Sequence, residues 1–302
     1  MKFMNFSPKN APNDVRLGCV FAETCFDVTR AIADGLLEFP RTLSTIEDAL
    51  QVIDGLDILQ DKLEALKTSS SGFESCLFQA SGAAFQAPIN HPQKLIGIGL
   101  NYRDHVEELK GQAPKLPLLF GMYGNAIIGP EQPIVIPPMS QQVDYEAELG
   151  VVIGRRARRV SLESAVGYVA GYTIINDVSA RDLQFSDGQW VRAKSFDTFA
   201  PMGPYLVTPQ TLHDGDELDI ELRLNGKTMQ KSNTRNLIFK VPDLISYISQ
   251  IMTLEPGDVI ATGTPGGVGF GRNPQVFLKP GDVVEIEIEG IGQLRNPVTA
   301  FS

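Results

Sequence analysis

The sequence has few of the residues that build a disulfide framework or a zinc site. Cys19, Cys25 and Cys76 are an odd number of cysteines, and no two of them have the C-x-x-C spacing. Such a set is typical of reduced, mostly buried thiols in a reducing compartment. The pattern therefore favours neither a disulfide-stapled domain nor a zinc ribbon, and nothing around these thiols indicates a cysteine nucleophile.

Long apolar runs and net positive charge are also lacking. No stretch approaches the roughly 20 apolar residues of a membrane-spanning helix. The segment 1–18 has no long apolar run, unlike a secretory signal, and is poor in arginine, unlike a mitochondrial leader. The net charge of −10 disfavours nucleic acid, because phosphates bind to basic surfaces. We expect a cytoplasmic protein, with the mitochondrial matrix as the alternative, that binds neither membranes nor nucleic acid.

The pattern of apolar residues predicts two domains. Residues 1–90 are predicted to form a small N-terminal accessory domain of α/β type. Within it, apolar residues recur at helical spacing over 46–66 after Ser44 and Thr45, and 68–72 has the composition of a loop. Residues 91–302 are predicted to form a β-rich catalytic domain, because short β-type runs there alternate with glycine and proline.

Two segments of the second domain have the clearest periodicity. Charged and apolar residues alternate over 283–290, which predicts a half-exposed strand. Residues 242–253 predict a helix with Leu244, Ile245, Ile248 and Ile251 on one face, and the Glu-Pro-Gly that follows predicts its end.

The sharpest chemical feature is the acidic pair in D-Y-E-A-E-L-G-V-V, residues 144–152. On a strand, Glu146 and Glu148 would point to the same side, about 7 Å apart along the backbone. Alone, this pattern is more typical of an exposed strand with solvated acids. A third acid, Asp177, ends the apolar run 172–176 and changes the balance. Three carboxylates indicate Mg²⁺ or Mn²⁺, and no histidine or cysteine lies near them in sequence to favour zinc.

Three further segments suit acid–base chemistry or anion binding. His105 and Glu108 would share one face of a helical turn, where the carboxylate could orient the imidazole as a base; a surface histidine at a helix start is the alternative. Lys194 lies between bulky aromatic residues and would either stabilise an enolate or pair with a structural acid. The glycine-rich loop 261–269 lets N–H groups converge on an anion, and a small carboxylate is the preferred occupant.

Five motifs, in this order, make residues 94–297 resemble the fumarylacetoacetate hydrolase family, and most closely its domain-containing protein 2 branch. They are G-x-N-Y-x-D-H, D-Y-E-x-E-L, N-D-V-S-A-R-D, A-K-S-F-D-T-F-x-P-x-G-P and G-D-V-I-A-T-G-T-P-x-G-V-G. The resemblance implies an α+β, β-rich fold, namely a mixed β-sandwich roll of the kind found in the C-terminal domain of that family. It also implies a homodimer.

The resemblance assigns expected roles to individual residues. A Mg²⁺ or Mn²⁺ ion would bind Glu146, Glu148 and Asp177. His105 and Glu108 fall on the family's catalytic dyad, which is carried by a segment that orders over the site when ligand binds. The residues expected to contact the metal-bound substrate are Lys194, also a catalytic candidate, with Arg181, Gln184, Thr264 and Tyr102.

These assignments lead to three hypotheses about function, all starting from a 2-oxo acid chelated through its C1 carboxylate and C2 oxygen. In the first, His105 activates water, which attacks C4 of a 2,4-dioxo acid such as an acylpyruvate, and C3–C4 cleavage leaves pyruvate enolate. In the second, the same enolate serves decarboxylation or keto–enol tautomerisation of oxaloacetate. In the third, the chain is an inactive relative that binds metabolites. The retained pair of His105 and Glu108 favours the hydrolase.

One departure from the family concerns the substrate. Many relatives have a lysine where this sequence has Met122, so a cationic contact is missing or replaced and the family's usual substrate is in question. We expect Met122, Tyr123 and the segment 185–190 to shape the pocket for the substrate's tail.

Overall fold

The computed structural model describes residues 1–21, 24–68, 72–108 and 110–301. Over these residues the chain has the predicted α+β fold rich in strands, and its sheets are mixed and not closed. The loop predicted at 68–72 falls largely on residues 69–71, which lie outside the described residues.

The strands provide the frame of the molecule. In chain order they are β1 (Lys2–Pro8), β2 (Arg16–Phe21), β3 (Thr24–Asp27), β4 (Leu77–Phe78), β5 (Ala83–Gln86), β6 (Leu95–Gly99), β7 (Leu118–Met122), β8 (Ile127–Ile128), β9 (Ile134–Ile136), β10 (Val143–Asp144), β11 (Ala147–Ile153), β12 (Val169–Asn176), β13 (Ser179–Ala180), β14 (Ala200–Val207), β15 (Asp219–Leu224), β16 (Lys227–Asn233), β17 (Val259–Ala261), β18 (Val283–Ile288) and β19 (Gly292–Ala300).

The helices are short and lie between the strands. They are α1 (Val28–Ala33), α2 (Ile46–Leu50), α3 (Gly55–Thr68), α4 (Arg103–Glu108), α5 (Arg181–Asp187), α6 (Trp190–Lys194), α7 (Pro209–Leu212) and α8 (Val241–Ile251). Single 3₁₀ segments occur at Glu74–Cys76, Ala80–Gly82, Gly124–Ala126, Leu162–Tyr168 and Thr234–Asn236. Among the described residues, no helix is long and apolar enough to span a bilayer.

The large sheet carries the site at its centre. Its strands follow the order β4-β3-β2-β1-β14-β12-β11-β17-β6-β7, with β5 paired to β1 and β8 to β14. Every residue of β11 is buried, because this strand lies between β12 and β17 and is covered on both faces. Since β11 runs antiparallel to both neighbours, its first residues lie beside the last residues of β12 and β17.

A second sheet, in the order β16-β15-β18-β19-β9, packs beside the first. In β18, Val284, Ile286 and Ile288 are buried while Glu285 and Glu287 are not. The alternation predicted over 283–290 is therefore confirmed. The sheet contributes Gln230 of β16 to the centre of the molecule, where this side chain is buried.

The N-terminal region continues the large sheet. β1 pairs antiparallel with β14, with Lys2 opposite Val207 and Phe3 opposite Leu206. One core cluster of buried apolar side chains includes Phe3 and Leu59 of this region together with residues of the central strands. The predicted division at residue 90 stays a prediction, since this pairing and this core run across it.

Two predicted helices differ in detail from the observed ones. The apolar run over 46–66 forms two helices, because the backbone of Asp54 is left-handed (φ 56°) and Gly55 starts a new helix; Ile53, between them, is 86% exposed. In α8, Leu244, Ile245 and Ile248 are buried as predicted. Ile251 is 53% exposed, because the backbone becomes extended directly after it.

Candidate active site

Three buried carboxylates meet where β11 begins and β12 ends. Glu146 directly precedes β11, Glu148 lies within it and Asp177 directly follows β12. Ala147 is opposite Asn176 in the ladder, and the Asp177 N–H donates to the Glu146 carbonyl at 2.9 Å. As a result, one oxygen from each of the three carboxylates lies within 4.8 Å of the others.

Two buried cations face this cluster. The Lys194 ammonium, at the end of α6, donates to Glu146 Oε2 at 2.8 Å, to Asp177 Oδ2 at 2.6 Å and to Ser179 Oγ at 2.8 Å. Because an ammonium has three N–H donors, all of them are used. The Arg181 guanidinium, at the start of α5, donates to Glu146 Oε1 at 2.7 Å.

The positive charge does not balance the negative charge. With Asp144, the described cluster contains four carboxylates but only two cations, so two carboxylates have no cationic counterpart. Burial raises the pKa of Glu148 well above its ordinary value, and the charges of Asp177 and Glu146 raise it further. Burial likewise raises the pKa of Asp177, against the opposing effect of Lys194.

The donor set fits a divalent metal ion. The buried Asp177 Oδ1 has no hydrogen-bond partner among the described residues, although buried carboxylate oxygens are normally paired. Three carboxylate ligands without histidine or cysteine suit Mg²⁺ or Mn²⁺. A divalent cation would also supply the positive charge that allows all four carboxylates to ionise, so these residues meet both the geometric and the electrostatic requirement for a metal ion.

Asp144 anchors the cluster to the glycine-rich loop. This fully buried carboxylate accepts from Arg181 Nε at 2.9 Å, which holds the guanidinium against Glu146. It also accepts from the backbone N–H groups of Gly269 at 2.8 Å and Phe270 at 3.0 Å. A single side chain thus fixes both an arginine of the site and one end of the loop.

His105 and Glu108 lie on one face of α4. The Nδ1 atom of His105 is 3.3 Å from Glu108 Oε2, and Glu108 accepts from the Gly267 N–H at 3.0 and 3.1 Å. Burial raises the pKa of Glu108, but the hydrogen bonds from His105 and Gly267 outweigh it, so the pKa is lowered overall. Glu108 therefore joins the imidazole to the glycine-rich loop.

The N–H groups of the glycine-rich loop have partners within the protein, and the small carboxylate expected there stays a prediction. These groups do bind carboxylates, but the carboxylates belong to the protein: Gly263 donates to Glu148, Gly267 to Glu108 and Gly269 to Asp144. The loop positions the protein's own acids.

A cavity of about 220 Å³ opens beside the carboxylates. This volume is below the roughly 300–1,000 Å³ of sites for drug-sized ligands, which favours a small substrate. Its described lining consists of Ile98, Gly99, Leu100, His105, Phe120, Glu146, Glu148, Arg181, Gln184, Phe185, Trp190, Lys194, Thr264, Val268 and Phe270.

The cavity includes most of the predicted substrate contacts. Gln184 Oε1 accepts from Arg181 Nη1 at 2.8 Å, and the Gln184 amide nitrogen remains as a donor. The Thr264 hydroxyl donates to the Ala147 carbonyl at 3.0 Å, so toward a ligand it can only accept. Tyr102 is fully buried, is not part of the lining, and its hydroxyl has no partner among the described residues. Its contact with substrate stays a prediction.

The residues expected to shape the tail pocket are only partly at the cavity. Phe185 and Trp190 line it, whereas Met122 is buried elsewhere and Tyr123 is 64% exposed.

Sequence reasoning missed the side chains that support the site. Asp144 is part of a recognised motif, but the sequence assigned no role to it. No role was predicted for Ser179 or Gln230 either. Gln230 accepts from the Ala147 N–H at 2.9 Å and donates to Thr264 Oγ1 at 2.8 Å. The burial of a polar glutamine on β16 is the one signal that could have been found, had the inward positions of that strand been identified.

The chain is similar to known proteins in sequence and in fold. The family model for the C-terminal domain of fumarylacetoacetate hydrolases matches residues 94–299. The mitochondrial oxaloacetate tautomerase Fahd2a of Rattus norvegicus is 47% identical over 74% of this chain and 71% of its own length.

Two solved structures are similar over whole chains. A fumarylacetoacetate hydrolase from the psychrophile Exiguobacterium antarcticum is 34% identical, covers 100% of both chains and has a TM-score of 0.82. A maleylpyruvate hydrolase from a Sphingobium species is 29% identical, covers 100% of both chains and has a TM-score of 0.78. Similar proteins therefore include a tautomerase and hydrolases.

Proposed function

The chain belongs to the fumarylacetoacetate hydrolase family, and we propose that it catalyses the metal-dependent keto–enol tautomerisation of a small 2-oxo acid. The observation that carries this proposal is the buried cluster of Glu146, Glu148 and Asp177 beside a small cavity. Oxaloacetate is the first substrate to test, because the rat relative is named for it.

Charge stabilisation is the first requirement of the reaction. When bound at the three carboxylates, Mg²⁺ or Mn²⁺ would supply positive charge to the substrate oxygens as the enolate forms. The protein adds its own positive charge through Lys194, whose ammonium is held rigidly by three hydrogen bonds. Fixed charges of this kind stabilise a developing oxyanion without reorganising during the reaction. The Gln184 amide is free to donate to the substrate carboxylate.

Proton transfer is the second requirement, and His105 is the group we assign to it. Its Nδ1 atom is oriented by Glu108, while Nε2 makes no hydrogen bond to any of the described residues and His105 lines the cavity. In the forward direction the C3–H bond breaks and the proton passes to Nε2. The C2=C3 bond forms, and the C2 oxygen takes the electron pair and then a proton. The same groups operate in reverse.

Hydrolysis of an acylpyruvate is the second candidate. It is favoured by the same pair of His105 and Glu108, which can activate water, and by the similarity to a maleylpyruvate hydrolase. The two activities differ in product, since hydrolysis releases pyruvate and tautomerisation releases nothing. Decarboxylation of oxaloacetate would also form pyruvate, together with CO₂.

Assembly and compartment are further proposals. We propose a homodimer, because exposed Leu116 and Leu118 lie at or beside β7, the strand at one end of the large sheet, where an apolar edge favours association. The rat relative is named as mitochondrial, so the mitochondrial matrix is to be examined alongside the cytoplasm. Sedimentation of the purified protein tests the homodimer, and subcellular fractionation tests the compartment.

The proposal is tested with His105→Ala in the Mn²⁺-loaded protein. Without the imidazole we expect oxaloacetate tautomerisation, followed by enol absorbance, to fall about 10²–10⁴-fold, the usual contribution of a general acid–base group. Mn²⁺ binding should not change. The matched control is His91→Ala, which alters an exposed histidine and should retain full activity.

Two results would count against this assignment. Full activity of His105→Ala would remove histidine from the proton transfer. Pyruvate release from acetylpyruvate that is faster than any tautomerisation by the wild type would favour the second candidate.

A further inference from the structure

Apart from its charged cluster, His105, Gln184 and Thr264, the described lining of the cavity is apolar. Its remaining wall is formed largely by Phe120, Trp190, Phe185 and Phe270, with smaller aliphatic side chains between them. If the C1 carboxylate and C2 oxygen of a 2-oxo acid lie at the carboxylate cluster, the substituent on C3 must lie against this wall. The wall therefore determines which tails the site accepts.

Among the described lining residues, no unpaired permanent cation remains to bind a second carboxylate on that tail. Among the described lining residues the permanent cations are Arg181 and Lys194, and both are already paired with buried acids at 2.6–2.9 Å. Met122, on the same strand as Phe120 and two residues away, is also uncharged. The remaining polar side chains of the described lining are Gln184, Thr264 and His105, which carries the proton in the proposed reaction, and none of them is a permanent cation. A dicarboxylate would thus bring a charge to an apolar wall, where an unpaired charge is strongly disfavoured.

The rings of the aromatic wall pack against two glycines of β6. A Cβ atom at Gly97 would lie 2.1 Å from the Phe120 ring, and one at Gly99 would lie 2.4 Å from the Trp190 ring. The two rings meet edge to face, with centroids 5.3 Å apart. The strand therefore lacks side chains at the two positions where the rings pack closely against it.

The rings also contact the reactive part of the site and its opening. The Lys194 ammonium lies 5.1 Å from the centre of the Phe120 ring, so the wall begins directly beside the charged cluster. Phe185 packs on Phe270 with centroids 4.8 Å apart and yet is 58% exposed. An exposed aromatic ring beside a cavity is available to cover an apolar ligand.

We propose that the substrate is a 2-oxo acid with a flat, uncharged substituent on C3, of the arylpyruvate class, and that Trp190 and Phe120 select it. This inference rests on the proposed tautomerase function and specifies its substrate. The reaction balances without a co-reactant: the C3–H bond breaks, the C2=C3 bond forms and the C2 oxygen gains the proton. The aromatic substituent stays intact and becomes conjugated with the C2=C3 bond of the enol.

The test compares phenylpyruvate and oxaloacetate as substrates of the Mn²⁺-loaded wild type, with enol absorbance as the signal. We expect kcat/KM for phenylpyruvate to exceed that for oxaloacetate by about 10-fold or more, the discrimination typical of an apolar pocket. An equal or higher kcat/KM for oxaloacetate would overturn the inference and leave the proposed function intact. No metal-dependent turnover of either acid would instead overturn the proposed function.

Two variants test the residues that select the tail. Trp190→Ala should shift the ratio of the two kcat/KM values toward oxaloacetate by about 10-fold, mainly through KM for phenylpyruvate. Phe120→Ala, which removes the other ring of the wall, should shift the ratio in the same direction. Tyr123→Ala, an exposed aromatic outside the cavity, is the control and should leave the ratio unchanged. An unchanged ratio in Trp190→Ala would contradict the assigned selection.

Discussion

At the scale of single residues, the site depends on charges that are balanced only in part. Lys194 uses all its donors on Glu146, Asp177 and Ser179, and Arg181 is divided between Glu146 and Asp144. Buried ions need both a counter-charge and hydrogen bonds. The two cations therefore fix the positions of the acids, while the remaining negative charge is left for a metal.

The support given by Asp144 can be measured. Asp144→Ala should lower the free energy of unfolding by about 3–5 kcal/mol, because it leaves one side of the buried Arg181 uncompensated. It also removes the acceptor of the Gly269 and Phe270 N–H groups. Urea denaturation of the metal-free protein provides the measurement.

The control for this variant is Asp34→Ala, which breaks an exposed pair with Arg30 and should cost less than about 1 kcal/mol. Similar costs for the two variants would contradict the role of Asp144.

The sequence predicts the positions of some of these site residues better than those of others. Glu146 and Glu148 could be placed on one side of a strand, because strand periodicity is local. The partners of Asp144 could not be predicted, because its hydrogen-bond donors lie more than 30 residues away on α5 and more than 120 residues away in the glycine-rich loop. Such contacts arise from tertiary packing, which a single sequence does not reveal.

At the scale of elements, the glycine-rich loop holds α4 against the site. Gly267 has φ 102°, and a Cβ atom there would lie 2.2 Å from the Met229 carbonyl. Gly267→Ala should therefore destabilise the protein by about 1–3 kcal/mol through backbone strain. It should also lower activity, because the N–H donor to Glu108 would move.

Thermal unfolding and the oxaloacetate assay check this variant together. Gly121→Ala, where a Cβ atom meets nothing within 4 Å, is the control and should behave as the wild type. A Gly267→Ala protein of normal stability and activity would show that the loop does not position Glu108.

Element types were easier to predict than element ends. The capping box at Thr45, in which Thr45 and Asp48 exchange hydrogen bonds, starts α2 where Ser44, Thr45 and the acids after them suggested. The periodicity of apolar residues did not predict the helix break at Asp54, because one residue in a left-handed conformation interrupts a helix without changing the apolar spacing.

At the scale of the whole molecule, the N-terminal region and the catalytic part share one sheet. The pairing of β1 with β14 joins segments about 200 residues apart, so hydrophobic patterning alone could not predict it. The sequence did predict the β-rich character, since that depends on local alternation and on the spacing of glycine and proline. An unfolding experiment tests whether residues 1–90 fold as a separate unit.

That experiment uses Phe3→Ala, which removes a fully buried ring of β1. If the core is continuous, the variant should lose about 3–5 kcal/mol and unfold in a single transition, with activity and circular dichroism lost together. Phe301→Ala, at a 64% exposed residue, should change stability by less than about 0.5 kcal/mol. A first transition that leaves activity intact would show that residues 1–90 fold independently.

The most direct test of the central claim is a calorimetric titration of Mn²⁺ into chelator-treated protein, with oxaloacetate tautomerisation assayed at each step. We predict that activity lost on chelation returns as Mn²⁺ binds, and that Glu148→Gln weakens Mn²⁺ binding about 10–100-fold or more. The exposed control Glu163→Gln should bind Mn²⁺ as the wild type does. Undiminished activity of the chelator-treated protein, or unchanged binding by Glu148→Gln, would contradict a metal site built from these carboxylates.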